Sequence, residues 1–199
     1  PVLDGDNNSI WARWATLYAG EDRGHFFLPE PDDEVVVGFL NNDPVHPVIL
    51  GNLYSSKQPA PYELDDKNWK KVIATKEKLK IEFDDEKKMI TLETPGKNKI
   101  EINDDKKSIQ LTDQNKNQLT LNDQGITFDC AKNIVLKAKG DISLEASGKV
   151  EVKAKMDMTL EGMNVNANAK VGFAAKGKAT AEVSASGQTT IKGGMVMIN

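Results

Sequence analysis

The residues of this chain that could do chemistry are few, and none of the sites they suggest is complete. Asp4, Asp6 and Asn8 alternate in the way that opens a calcium-binding loop, because oxygen ligands recur at every second position. Ser9 stands where such a loop needs glycine, and Ala15 stands where a glutamate should close it. We therefore interpret the segment as a solvated turn.

The two histidines and the single cysteine do not form a metal site. His25 and His46 have no cysteine or second histidine at ligand spacing. Cys130 has no partner for an internal disulfide, and it occupies a position that neighbouring repeat units fill with alanine or glycine. The sequence predicts no bound metal and no cofactor.

The carboxylate clusters are weak candidates for catalysis. Residues 32–34 and 84–86 each bring acidic side chains together, but a glycosidase pair also needs a cleft and a raised pKa on one member. No Gly-x-Ser-x-Gly motif accompanies the many serines. We interpret both clusters as turns, and we predict no catalytic residues and no enzymatic activity.

Aromatic residues near the start of the chain could stack on nucleic-acid bases. Charge argues against this use, because residues 1–56 hold nine acidic residues against Arg13 and Arg23, a balance of −7 that repels phosphate. We therefore predict no nucleic-acid binding and assign these rings to the core and to subunit contacts. They are Trp11, Trp14, Tyr18, Phe26 and Phe27.

A repeat of eight residues dominates the second half of the chain. Each unit carries an apolar residue, a second apolar residue two places later and a small residue two places after that, so these side chains point to one face of a strand. A polar or glycine-containing stretch then turns the chain. The apolar pairs are Ile126 and Phe128, Ile134 and Leu136, Ile142 and Leu144, Val150 and Val152, and Met158 and Leu160.

Looser copies extend this pattern from Ile81 to Ile191 and give about fifteen units, as expected for a stacked repeat architecture. Eight residues are too few for one solenoid coil. Either three consecutive units make a coil of a single-chain β-helix, or three identical chains each supply one side of a triangular prism. Two buried aliphatic side chains return roughly 3 to 6 kcal/mol, against roughly 8 to 16 kcal/mol for ordering eight residues. That deficit favours the three-chain solution.

The later core positions also favour three chains. They shrink to alanine, which suits a narrow axis where three backbones approach closely. The alanines are Ala167, Ala169, Ala175, Ala181 and Ala185. At about 4.8 Å per strand, fifteen units predict a rod on the order of 70 Å long.

Charged residues alternate with the core positions, and no run of eighteen apolar residues occurs. The pattern predicts a solvated outer face of mixed sign.

Residues 1–56 follow a different pattern and predict a small β-barrel. Strand-like runs occupy residues 10–16, 25–28, 34–39 and 48–53, with turn signals between them. Residues 57–76 contain two prolines and a polar stretch, and we assign them as the linker, in which Trp69 packs against a neighbouring domain. The repeat region then covers residues 77–199.

Several motifs of the first domain occur together and in order: Ser9 to Thr16, Gly24 to Glu30, Asp33 to Phe39, Asp43-Pro44, His46 to Val48 and Leu50 to Tyr54. Together they resemble the OB-fold domain of the VgrG spike family, which includes the baseplate spikes of contractile phage tails and of extracellular contractile injection systems. In that family the OB domain leads into a triple-stranded β-helix made by three chains. The resemblance implies an all-β chain, an OB-fold barrel followed by a trimeric β-helix needle.

The resemblance also implies a function and partners. It predicts a homotrimeric needle at the tip of a contractile injection apparatus, assembled in the bacterial cytoplasm and driven mechanically through a target envelope, with effectors carried along. Family members have a further OB strand and a hub region upstream, so we expect the first OB strand and the hub and tube contacts to lie ahead of Pro1. A PAAR-type conical tip protein is expected to bind Met195, Val196, Met197, Ile198 and Asn199.

Two other classes of function stay open on the sequence alone. One is a trimeric adhesin or receptor-binding stalk, and the other is a polysaccharide-degrading enzyme on a single-chain β-helix. The needle model makes one further commitment, which is the set of side chains that form the trimer core. These are Ile126, Phe128, Ile134, Leu136, Ile142, Leu144, Val150, Val152, Met158, Leu160, Val165, Phe173, Val183 and Ile191.

Overall fold

The computed structural model describes residues 10–198, and its regular structure is almost entirely β. The first domain contains β1 (Arg13–Trp14), β2 (Ala19–Gly20), β3 (Arg23–Gly24), β4 (Val35–Phe39) and β5 (Pro47–Asn52). In its main sheet β5 is central, parallel to β1 and antiparallel to β4. A short 3₁₀ helix, Leu40–Asn42, connects β4 to β5.

The predicted strand at residues 25–28 is wrong. The chain instead forms a small ribbon just before it, in which β2 pairs with β3. Gly24 ends this ribbon at φ +148°, a conformation that L side chains rarely adopt, and a Cβ there would lie 2.5 Å from the Tyr18 carbonyl oxygen. Beyond Gly24 the Thr16 hydroxyl donates a 2.7 Å hydrogen bond to the His25 carbonyl. The His25 carbonyl therefore has a side-chain partner, whereas the His25 amide still donates to the Tyr18 carbonyl at 2.8 Å.

A seven-stranded antiparallel meander follows the linker. Each strand pairs with the next in chain order, so one segment of chain builds one continuous sheet. Its first strand lies inside the range assigned above as linker. The strands are β6 (Lys70–Ala74), β7 (Lys80–Asp84), β8 (Met89–Glu93), β9 (Lys99–Asn103), β10 (Ser108–Thr112), β11 (Gln118–Asn122) and β12 (Gly125–Asp129).

The turns of the meander alternate between two designs. At one edge the loop closes with paired backbone bonds, as where the Lys97 amide donates to the Thr94 carbonyl at 2.9 Å and the Thr94 amide donates to the Asn98 carbonyl at 3.0 Å. At the other edge a side chain ending the strand caps the turn, as where Asp84 Oδ1 accepts from the Lys87 amide at 3.0 Å. A hairpin with one turn of each design repeats every nineteen residues. The five turns between β6 and β11 each place a lysine at positive φ: Lys78, Lys88, Lys97, Lys107 and Lys116.

Beyond the meander the chain changes character. Residues 130–198 contain no strand within the part that the structure describes, and straight segments alternate with bends. The bends lie at 131–132, 139–140, 147–148, 155–156, 163, 170–171, 178–179, 186–187 and 194–195. Their spacing is eight residues with one step of seven, which is the period of the sequence repeat.

The chain divides into two units at residue 137. This division does not test the domain boundaries assigned from the sequence, which stay predictions. Across residues 10–198 we find no helix that is both long enough and apolar enough to cross a bilayer.

Candidate trimer interface

One face of the meander is apolar in two unbroken rows. Strand pairing sets Ile81 opposite Leu92, and Leu92 opposite Ile100, so the first row crosses the sheet from strand to strand. The second row starts at Phe83 and runs parallel to it. The first row is Ile73, Ile81, Leu92, Ile100, Leu111, Leu119 and Phe128, and the second is Phe83, Ile90, Ile102, Ile109, Leu121 and Ile126.

These apolar rows lack a covering layer in the single chain. Phe128 is 66% exposed, and none of the thirteen residues in the two rows is buried. The buried side chains of the meander lie instead on the opposite, polar face: Glu82, Asp84, Thr91 and Asn103. Burying a polar group costs free energy unless the group is hydrogen-bonded, whereas removing apolar surface from water is favourable. This inversion requires a partner on the apolar face.

The buried polar side chains have hydrogen-bond partners. Asp84 caps one turn, and Asn103 caps the corresponding turn nineteen residues later, where its Oδ1 accepts from the Lys106 amide at 2.8 Å. Among residues 10–198, no buried side-chain nitrogen or oxygen is left without a hydrogen-bond partner. The polar face is therefore complete within one chain, whereas the apolar face is not.

A tyrosine of the linker packs on this polar face. The Tyr62 hydroxyl donates to Glu82, and Lys80 Nζ donates to Glu82 Oε2 at 2.6 Å and to the Tyr62 hydroxyl at 3.1 Å. Burial alone would raise the pKa of Glu82, but the hydrogen bonds from Lys80 and Tyr62 outweigh it and hold that pKa below its ordinary value. The hydrogen bonds that Lys80 donates to Glu82 and to Tyr62 raise the pKa of Lys80. The cluster fastens the linker to β7.

Residues 130–198 pose the same problem in a more severe form. They form no backbone-to-backbone hydrogen bond within the described structure, although such bonds hold every strand of the meander. Backbone groups in a folded protein are nearly all paired or hydrated. The apolar side chains are open as well, with Leu144 77% exposed. Both the backbone and the apolar positions of this segment need partners from outside the chain.

The outward positions of this segment already interact. Glu151 lies between Lys149 and Lys153, with 2.5 Å between Lys149 Nζ and Glu151 Oε2. Hydrogen bonds from Lys149 and from Lys153 lower the pKa of Glu151. Because Val150 and Val152 alternate with these charges, they lie on the opposite side of the segment.

The predicted core residues fall into two groups. Ile126 and Phe128 lie on β12 at the end of the two apolar rows, and the other twelve lie beyond the meander. All fourteen are exposed in the single chain, and their assignment as the trimer core stays a prediction. The tip residues Met195, Val196, Met197 and Ile198 are exposed too, and Asn199 lies outside the described residues.

The predicted trimer core did not include the eleven meander residues from Ile73 to Leu121, although all of them except Ile73 are apolar positions of the looser repeat copies. The signal that identifies them is the nineteen-residue period, in which Ile81, Ile100 and Leu119 recur at equivalent strand positions. Reading each strand separately hides this period. Tyr62 was also missed, since nothing in the linker sequence distinguishes it.

The other chemical candidates have local roles. His25 stacks on Phe27 with ring centroids 4.5 Å apart, and His46 Nδ1 lies 3.2 Å from Asp43 Oδ2. Asp33 Oδ2 accepts from the Glu30 amide at 2.9 Å within a turn. Residues 10–198 hold no cluster of three His, Cys, Asp or Glu side chains suited to a metal ion. The calcium-like segment at residues 4–8 lies outside the described residues.

Two family models match the chain. The model described as the type VI secretion system/phage-baseplate injector OB domain matches residues 1–54. The model described as the phage baseplate V C-terminal trimerisation domain matches residues 89–199, more than half of the chain. The predicted order of an OB domain followed by a trimerising all-β region is confirmed.

Known relatives are spike proteins that are much longer than this chain. Type VI secretion system spike protein VgrG3 of Vibrio cholerae is 40% identical over 70 residues, which cover 35% of this chain and 7% of that protein. Spike protein VgrG1a of Pseudomonas aeruginosa is 41% identical over 59 residues, 30% of this chain and 9% of that protein. The actin cross-linking toxin VgrG1 of V. cholerae is 36% identical over 70 residues, 35% of this chain and 6% of that protein.

Replacing Leu144 by Asp should abolish the trimer. The substitution places an unpaired charge in the core of all three chains, at several kcal/mol per buried ion. Ser143→Asp is the matched control, because Ser143 lies on the opposite side of the same segment. Light scattering after size exclusion should show a trimer for Ser143→Asp and none for Leu144→Asp. An unchanged mass and melting temperature for Leu144→Asp would mean that the inward face is wrongly assigned.

Glu82 should contribute to the pH dependence of stability. Because its pKa is lower in the folded state, its stabilising contribution is complete above the unfolded pKa of about 4.3 and is lost as pH falls through the folded pKa. The melting temperature of the protein should fall less steeply below that pH in Glu82→Gln than in the parent. Glu63→Gln, in the linker, should retain the parent slope. Equal slopes for all three proteins would contradict the assignment.

Proposed function

We propose that this chain, which belongs to the VgrG and contractile-tail baseplate spike family, is the spike that a contractile injection apparatus drives through a target envelope. The observation that carries the proposal is the pair of uncovered apolar rows, none of whose residues is buried, in a chain that matches a trimerisation-domain model. Such a chain is complete only as a homotrimer. Its role in the apparatus is structural.

The meander supplies one side of a triangular prism. Its two apolar rows face inward, and its polar face, already hydrogen-bonded within one chain, faces solvent. Three copies then bury three pairs of rows against one another. At about 25 cal/mol per Å² of apolar surface removed from water, this burial is the main energy of assembly.

Residues 130–198, which we call the distal segment, take their backbone hydrogen-bond partners from the other two chains. The bends spaced by eight residues divide it into short straight pieces, each able to pair with the equivalent pieces of its neighbours. A single-chain β-helix enzyme would pair successive coils of its own backbone, and residues 130–198 show no such pairing in the described structure. This difference favours the three-chain needle over that alternative.

A ladder of backbone hydrogen bonds between chains suits a needle under axial load. Sheath contraction supplies the energy, and the polar exterior makes entry a mechanical puncture instead of partition into lipid. The chain has no catalytic part in this process. We place assembly in the bacterial cytoplasm, with delivery outside the cell or into the target envelope, and with effectors carried on the spike.

The remaining contacts are with other parts of the apparatus. Hub and tube proteins hold the spike at the end opposite to the tip. The exposed apolar residues from Met195 to Ile198, with Asn199, form the seat of a PAAR-type conical protein. An exposed apolar patch of this kind is typical of a protein–protein contact.

Delivery by the whole apparatus tests the spike proposal. Leu144→Asp, introduced into the full-length polypeptide in its own bacterium, should leave the sheath able to form but abolish transfer of effectors into target cells. Ser143→Asp should transfer effectors at the parent rate. Equal transfer by both variants would contradict a trimeric spike function.

Binding to a PAAR-type protein tests the tip assignment. The intact chain should bind the conical protein on a sensor surface, and a chain ending at Gly194 should bind at least about tenfold more weakly, because the apolar seat is gone. Both chains should keep the mass of a trimer, so that the loss reports the tip alone. Equal binding would remove the tip site.

A further inference from the structure

Net charge along this chain is divided into separate blocks. Residues 1–56 have nine acidic residues against two arginines, whereas residues 57–125 and 126–162 each have equal numbers of acidic and basic residues. Residues 163–199 hold four lysines and one glutamate. The whole positive excess of the chain therefore lies in its last 37 residues.

Two of the four distal lysines lie on the outward side of the repeat, and the other two lie at its bends. Lys176 directly follows Ala175, and Lys192 directly follows Ile191, so alternation along the strand turns both away from the core positions. Lys170 and Lys178 lie at bends. All four are exposed. Three copies of the chain present twelve such lysines against three copies of Glu182.

Residues 126–162, where acidic and basic residues are equal in number, have outer-surface ion pairs that residues 163–198 lack. There, Glu151 is paired with both Lys149 and Lys153, so opposite charges cancel on the outer surface. In the described residues beyond 162, no lysine makes an ion pair. The distal surface thus keeps an uncompensated positive field, which attracts anions within about a Debye length.

We propose that this distal lysine surface binds the anionic phospholipid surface of a target membrane. The proposal rests on the proposed function, since it requires three chains around one axis to concentrate the lysines. Negatively charged headgroups attract exposed lysines individually and additively, and the mixed charge of the preceding block gives no such attraction. The lysines then hold this part of the needle at the bilayer during puncture.

Vesicle sedimentation with the full chain tests this binding. The parent trimer should sediment with vesicles of phosphatidylcholine and phosphatidylglycerol, and not with vesicles of phosphatidylcholine alone. Changing Lys170, Lys176, Lys178 and Lys192 to Gln should weaken binding at least about tenfold. The control changes Lys132, Lys137, Lys139 and Lys155 to Gln, which removes the same charge from the balanced block and should weaken binding much less.

Each outcome decides a separate point. Failure of the parent trimer to bind anionic vesicles, or equal loss in both variants, would overturn the lysine surface as a site. Inorganic phosphate at millimolar concentration should compete only weakly, and displacement by it would show that the lysines select free phosphate and not a membrane. Light scattering on the same samples separates the two proposals, because a monomeric parent chain would refute the trimeric spike whatever the vesicles show.

Discussion

The structure depends on one constraint: the apolar positions of this chain have no covering layer of their own. In the meander two rows of aliphatic and aromatic side chains are left uncovered by the single chain, while charged and polar side chains on the other face are buried and hydrogen-bonded. Beyond the meander even the backbone lacks partners in the described structure. Folding and association are therefore one process, and the outer surface is free to carry charge.

The length of the connections decides how each part of the repeat finds its partners. Loops of two to five residues let the chain reverse between β6 and β12, so neighbouring strands pair within one chain. After Asp129 the connections are one- or two-residue bends, and the segments between them do not pair with one another. The same alternation of apolar and polar residues thus serves an intrachain sheet first and an interchain structure afterwards.

Much of this could be predicted from the sequence, because alternation and period are local properties. The bends beyond Ile126 lie where the repeat predicts them, in the polar stretches between the apolar pairs. The two acidic clusters lie at turns, as predicted, where Asp33 and Asp84 accept hydrogen bonds from backbone amides. Pairing is not local. To predict the meander one must know that Ile81 lies opposite Leu92, and that pairing depends on turn geometry. The ribbon before Gly24 depends on one backbone angle, the φ of Gly24. The contact of Tyr62 with Glu82 joins residues that no sequence pattern links.

The mass of the intact chain in solution tests the central claim most directly. If the open apolar rows and the unpaired distal backbone are completed by two further copies, sedimentation equilibrium should give three times the chain mass of 21.9 kDa. The same mass should persist at high salt, because apolar burial and backbone pairing are weakly screened. A folded species of 21.9 kDa with protected amides in residues 130–198 would contradict the account.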